Sequence, residues 1–305
     1  MELNFKIFKI CITCIIFTAF ICLGFIFCLR LDEPVFLKTY CEYEVQEDVN
    51  DENHYEDTQF IIRYITNIDD KAKVTNVTFL EAPELDFWAS EDKPNSSFVF
   101  SYNNNENNVI GERCGTYSIR TVYVNLLSRE DIFNDNSILE LNNAEVMFSD
   151  GTSMNVQLGR LLFSKKTNST QLLTNDYSGS TSSEGSHISE EKYIVEKNLK
   201  LLSVNSPLFK ETNELIELTI DGNKFDKVNN IQYEKFDTID VKSRFKDKLD
   251  TMSYYTMYDI KPVIAYEDDF GNTYELRIYN IERNTYNLEC DFIKLIKYLK
   301  ERGSI

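Results

Sequence analysis

The chain has two histidines and one tryptophan in 305 residues, and only three cysteines beyond residue 30. These shortages exclude a good deal of chemistry. A Ser–His–Asp or Cys–His device needs a histidine oriented by a partner beside a nucleophile. His54 lies in the acidic run 47–57 and His187 in a Ser- and Gly-rich stretch, and neither setting offers that. There is no G-x-S-x-G, no H-E-x-x-H, no Gly-rich phosphate loop and no dinucleotide fingerprint. His54 has Asp51, Glu52, Glu56 and Asp57 around it, but no second nearby histidine and no metal-ligand spacing, so the run reads as a solvated loop. EDDFGNTYE (267–275) lacks the alternating acids before glycine and the glutamate at position 12 of a calcium loop, and a hairpin explains every residue. No catalytic, cofactor-binding or metal residue is assigned, and no cofactor is expected. With 50 acids, some pair always lies near another, so a carboxylate pair carries no information at this level.

Basic residues are also scarce. Lys and Arg number 32 against 50 acids, a net charge of −18. Residues 1–30 carry +2, which leaves −20 on the remainder. A field of that sign repels nucleic acid and anionic lipid, so no nucleic-acid partner is expected. Yet 21 Phe and 18 Tyr are far too many for a disordered acidic tail. The 29 Asn, with many Ile, Lys and Tyr, resemble the bias of an AT-rich genome.

Four of the seven cysteines (Cys11, Cys14, Cys22 and Cys28) fall in or beside one apolar run, where they act as small hydrophobes. The C-x-x-C spelled by Cys11 and Cys14 is therefore read as neither a redox pair nor a metal site. Cys41, Cys114 and Cys290 leave room for one bridge, and their spacing does not say which pair forms it.

That apolar run spans Ile10 to Leu29 without a charge, bounded by Lys9 and Arg30. At 1.5 Å per residue it would reach roughly 30 Å, the thickness of a bilayer's hydrocarbon core. Its exit is bulky (Phe25, Ile26, Phe27), unlike a signal-peptide cleavage site. The expectation is a signal anchor contacting the lipid bilayer through residues 10–29. Residues 1–9 would be cytoplasmic and 31–305 external to a plasma membrane.

Beyond it, 30–57 reads as a stalk and 58–163 as a first β domain. Residues 164–190 read as a polar linker or long loop, and 191–305 as a second β domain ending in a helix. Short β-rich runs occur at 59–65, 74–80, 98–102 and 117–127. Asp150-Gly151 and Asp221-Gly222 mark hairpins, because type I′ turns need positive φ. Met154, Val156 and Leu158 alternate with Asn155 and Gln157, as a half-buried strand should. The order in 262–281 repeats that of 145–163, with Tyr274, Leu276 and Ile278 in the places of Met154, Val156 and Leu158. This suggests two related β units. Leu288, Phe292, Leu295, Ile296 and Leu299 form one helical stripe, capped by Asn287 or Asp291 and closed by Gly303; it is expected to pack on the second β domain. Trp88 is expected to anchor a β core. Asn76, Asn95 and Asn168 fit the glycosylation acceptor pattern.

The fold class expected is mainly β: a transmembrane helix, two tandem β-sandwich-like (Ig-like) domains and a C-terminal amphipathic helix. The function expected is a single-pass surface protein whose β domains form a non-catalytic binding or accessory module, with another membrane or surface protein as partner. The alternative is an exported carboxylate-dependent hydrolase acting on cell-wall or polysaccharide material.

Overall fold

A computed structural model describes residues 2–45, 58–92, 111–127, 138–165, 172–181, 187–246, 249–279, 281–283 and 290–305. The chain opens with helix α1 (Glu2–Cys28) and is otherwise mainly β. In its first half, β1 (Val35–Phe36), β2 (Thr39–Val45), β3 (Thr58–Asn67), β4 (Val74–Phe79) and β5 (Phe87–Ser90) precede β6 (Glu112–Cys114), β7 (Tyr117–Leu126), β8 (Leu139–Phe148) and β9 (Ser153–Lys165). The strand run predicted at 98–102 and His54 lie outside the described residues.

The second half holds β10 (Leu173–Thr181), β11 (Ile188–Val195), β12 (Leu199–Asn205), helix α2 (Pro207–Thr212), β13 (Ile216–Ile220), β14 (Asn223–Lys224) and β15 (Ile231–Tyr233). It continues with β16 (Thr238–Phe245), α3 (Thr251–Tyr254), β17 (Met257–Ile260), β18 (Val263–Asp268), β19 (Thr273–Arg277), β20 (Ile281–Arg283) and α4 (Phe292–Glu301).

Four sheets form. One runs β1-β3-β7-β5 with β6 also on β7, and a six-stranded sheet runs β20-β17-β2-β9-β8-β4. The others run β10-β11-β16-β13-β14 and β15-β12-β18-β19. The six-stranded sheet is a shared wall. From β9, Leu161 and Phe163 enter a first core with Phe60, Ile62, Tyr64, Phe79, Val122 and Val124. Leu162, between them, enters a second core with Leu201, Leu218, Val241, Phe245 and Tyr266. Successive side chains on a strand face opposite sides, so a strand covered on both faces reads as a continuous apolar run, here GRLLF. Gly159 is required where β9 meets β2 in parallel: its φ is +115°, and a Cβ there would lie 2.3 Å from the Thr39 carbonyl oxygen.

Several expectations change. Among the described residues, no helix is long and apolar enough to cross a membrane. Leu29, the predicted end of the span, lies beyond the helix and is 9 % exposed, and its carbonyl accepts a 2.5 Å hydrogen bond from the Tyr117 hydroxyl. The transmembrane helix, the bilayer contact, the single-pass topology, the plasma-membrane location and the membrane-anchored function are therefore withdrawn.

The sandwiches are also not simply in tandem. β17 and β20, from the second half, extend the six-stranded sheet by a parallel pairing of β17 with β2. Helix α4 does not pack on the second core. Leu295, Tyr298 and Leu299 bury against Leu31, Val35, Ile65, Tyr117 and Ile119 on the outer face of the β1-β3-β7 sheet. A Cys114–Cys290 disulfide joins β6 to the residues entering that helix. Within 164–190, expected to be a polar linker or long loop, β10 and the start of β11 pair as an antiparallel hairpin.

Candidate functional site

Where the six-stranded sheet runs past the edge of β3, a groove of about 240 Å³ opens. Its floor is Cys41 and Tyr43 of β2, Met257 and Asp259 of β17 and Glu282 of β20; its wall includes Gln59 and Ile61 of β3 and Tyr123 of β7. Asp259 and Glu282 are cross-strand partners in an antiparallel pair. Residues so placed have Cβ atoms about 4.5–5.5 Å apart on one face. The pairing places both acidic residues along the groove.

A buried network fixes Asp259. Lys261 Nζ lies 2.9 Å from Asp259 Oδ2 and donates to the Glu42 carbonyl at 2.7 Å, 5.4 Å from the centre of the Tyr43 ring. Glu42 is 4 % exposed. Its carboxylate accepts the Lys261 backbone N–H at 2.6 Å and the Ser206 hydroxyl. Ser206 in turn caps α2 by accepting the Phe209 N–H at 3.1 Å. A buried carboxylate is tolerable only when its lone pairs are so occupied. Tyr43 is held by Phe163 and Phe60, with ring centres at 5.0 and 5.7 Å. Cys41 is fully buried, and burial, its main perturbation, pushes its thiol well above the usual range, so it is a packing residue rather than a nucleophile.

The residues weighed from sequence lie elsewhere. His187 is half-buried, edge-on to Phe245 at 6.1 Å, and burial followed by the charge of Arg283 lowers its pKa. It is packed rather than an exposed linker residue. Trp88 is 42 % exposed, because Phe87 and Ala89 take the inward positions of β5. Asp268 accepts from Phe270 N, Asn272 N and Asn272 Nδ2, each at 2.9 Å, so EDDFGNTYE closes a hairpin. Those bonds, the Asn272 side chain foremost, hold Asp268 below the usual carboxylate range. Asn76 is on β4, its amide 3.2 Å from Thr78 Oγ1; Asn95 and Asn168 lie outside the described residues. Among the described residues, no three His, Cys, Asp or Glu gather as a metal-binding group.

A second, larger cavity of about 480 Å³ is lined by Asp32, Glu33, Gln157 and Arg302. Its two acids are consecutive residues of one exposed bend rather than partners across strands. Asp259 and Glu282 were missed because they are far from each other in any sequence pattern; only the register of β17 and β20 brings them together.

No protein-family model matches the sequence, and no curated protein does. Among solved structures, the D00-D0 domain of intimin aligns at 9 % identity over 80 % of this chain and 96 % of its own, with a TM-score of 0.23. An alpha-L-rhamnosidase from Dictyoglumus thermophilum aligns at 9 % identity over 82 % of this chain and 29 % of its own, with a TM-score of 0.21. Fibronectin(III)-like modules of Clostridium thermocellum CbhA align at 10 % identity over 84 % and 97 %, with a TM-score of 0.16. Likenesses this slight carry no argument about substrate or partner.

Proposed function

We propose that this chain is a carboxylate-dependent hydrolase of polysaccharide, with Asp259 and Glu282 as its working pair. The observation that carries the reading is their direct opposition across β17 and β20 over a tyrosine-lined groove. The pair is assigned to retention of configuration, which uses carboxyl groups about 5–5.5 Å apart, where inversion uses roughly 6.5–9.5 Å. Asp259, matched by Lys261, is the nucleophile: its carboxylate attacks the anomeric carbon as the bond to the leaving oxygen breaks. Glu282, exposed and facing it, gives its proton to that oxygen. Glu282 then takes a proton from water, whose oxygen displaces Asp259 from the sugar. The Cys114–Cys290 bridge supports folding in an oxidising compartment, as an exported enzyme would.

The test is release of reducing ends from neutral polysaccharides by the purified chain. Asp259→Asn and Glu282→Gln should each lower kcat by at least about 100-fold, with melting temperature unchanged. Turnover that survives both substitutions, or no turnover on any polymer, would refute the assignment.

A further inference from the structure

Phe270 and Phe236 are 88 % and 70 % exposed, and both sit at one end of the β15-β12-β18-β19 sheet. The register places them there: Leu199 of β12 pairs with Tyr233 on one side and Asp268 on the other. The Asn198 side chain ties the two loops together, donating to Asp269 Oδ2 at 3.1 Å and accepting from Lys235 N at 3.0 Å. Each bonded residue immediately precedes one of the phenylalanines.

Phe236 is held outward at a conformational cost. Asp237 N–H bonds the Glu234 carbonyl at 3.0 Å, closing a four-residue turn, and Phe236 at its third position has φ +75°. That is the type II position normally taken by glycine, and a bulky side chain there is an outlier. Lys235 Nζ lies 4.6 Å from the ring centre, covering one face.

The strands that lead into the two turns, β15 and β18, flank β12 and so stand on the order of 10 Å apart, about the length of a disaccharide. Buried together the two rings would contribute roughly 300–500 Å², far below the 1,200 Å² or more of a stable protein interface. The loops carry Glu196, Glu234, Asp237, Asp268 and Asp269 against Lys197 and Lys235. That excess repels an anionic bilayer or an acidic polymer. What remains is a neutral chain that offers apolar C–H faces to the rings and hydroxyls to the surrounding carboxylates and amides.

We infer that this loop end is a second site, distinct from the Asp259–Glu282 groove, that holds a neutral polysaccharide through Phe236 and Phe270. The choice of ligand rests on the hydrolase reading, but binding here requires no turnover. The test is affinity gel electrophoresis of Glu282→Gln in gels containing hydroxyethyl cellulose or xylan. Phe236→Gly and Phe270→Ser serve as variants, since glycine suits the turn and residue 270 is almost wholly exposed. Retardation by at least one polymer, weakened tenfold or more in the double variant at unchanged melting temperature, is expected. Phosphatidylcholine–phosphatidylglycerol vesicles should not sediment the protein. Retardation unaffected by the double variant, none on either polymer, or vesicle binding lost with the two rings would overturn the inference. Retention of polymer binding without hydrolysis by the wild type would defeat only the hydrolase reading; hydrolysis without retardation would defeat only this one.

Discussion

Removing the Cys114–Cys290 bridge should cost several kcal/mol while leaving a folded protein. The two cysteines are 176 residues apart in sequence. In the chain-entropy account, closing so long a loop in the unfolded state is worth about 5 kcal/mol, and measured losses for native bridges run from about 2 to 5. Against a total stability of roughly 5–15 kcal/mol that is a large share. The fold should survive because α4 has other attachments. Leu295 and Leu299 are fully buried, each worth roughly 1.5–3 kcal/mol, and Asp291 caps the helix by accepting the Lys294 N–H at 3.0 Å. Urea denaturation of Cys114→Ser/Cys290→Ser, or of the wild type in reductant, should show a lowered midpoint and a steeper slope, because the unlinked unfolded chain exposes more surface. Amide exchange in α4 should accelerate more than in β9. Equal midpoints with and without reductant would refute the reasoning, since they would mean the helix and β6 are not joined.

Gly159→Ala should destabilise by about 3 kcal/mol or more, because positive φ and the approach of Thr39 coincide there; an unchanged thermal midpoint would contradict the parallel β2–β9 pairing. Glu42→Ala should cost about 3 kcal/mol by leaving the Lys261 N–H and the Ser206 hydroxyl without their buried acceptor, read from urea curves. Stability should decline above about pH 10. Burial first, then Glu91 beside Tyr64 and Glu191 beside Tyr193, raise the folded phenols' pKa values. Unfolded phenols therefore lose protons earlier as pH rises, so this contribution is full below about pH 10 and is lost above it. A flat denaturation midpoint between pH 8 and 11.5 would count against it.

Much of the local structure was legible in the sequence. The Asp150-Gly151 and Asp221-Gly222 hairpins both formed; Asp221 at +48° and Gly222 at +75° are both at positive φ as type I′ requires, whereas in the first hairpin only Gly151, at +87°, is. The β-rich run at 117–127 is β7, in which Arg120, Val122 and Val124 alternate along one buried face. The sequence could not indicate that Arg120 would be fully buried, its guanidinium taking up the Asp70 and Ala72 carbonyls and the Tyr64 hydroxyl. Residues 173–181 looked like linker because Ser, Thr and Gly give no apolar period; their hydrogen bonds to β11, rather than their side chains, make them a strand. The amphipathic stripe of α4 was plain, but its partner was not, since a stripe specifies an apolar neighbour and not which one. The Asp259–Glu282 pair was hidden for the same reason: register between distant strands leaves no local mark.

The central claim is most directly tested by trapping the sugar on the enzyme. The chain is incubated with a panel of 2-deoxy-2-fluoro glycosides bearing dinitrophenolate leaving groups, and its intact mass and peptides are measured. A retaining carboxylate pair forms a covalent glycosyl-enzyme, so one member of the panel should add a single glycosyl unit to the peptide containing Asp259. Asp259→Asn should remain unlabelled. No adduct from any member, together with no reducing ends released from polysaccharide, would contradict the account, as would a sugar attached anywhere but this groove.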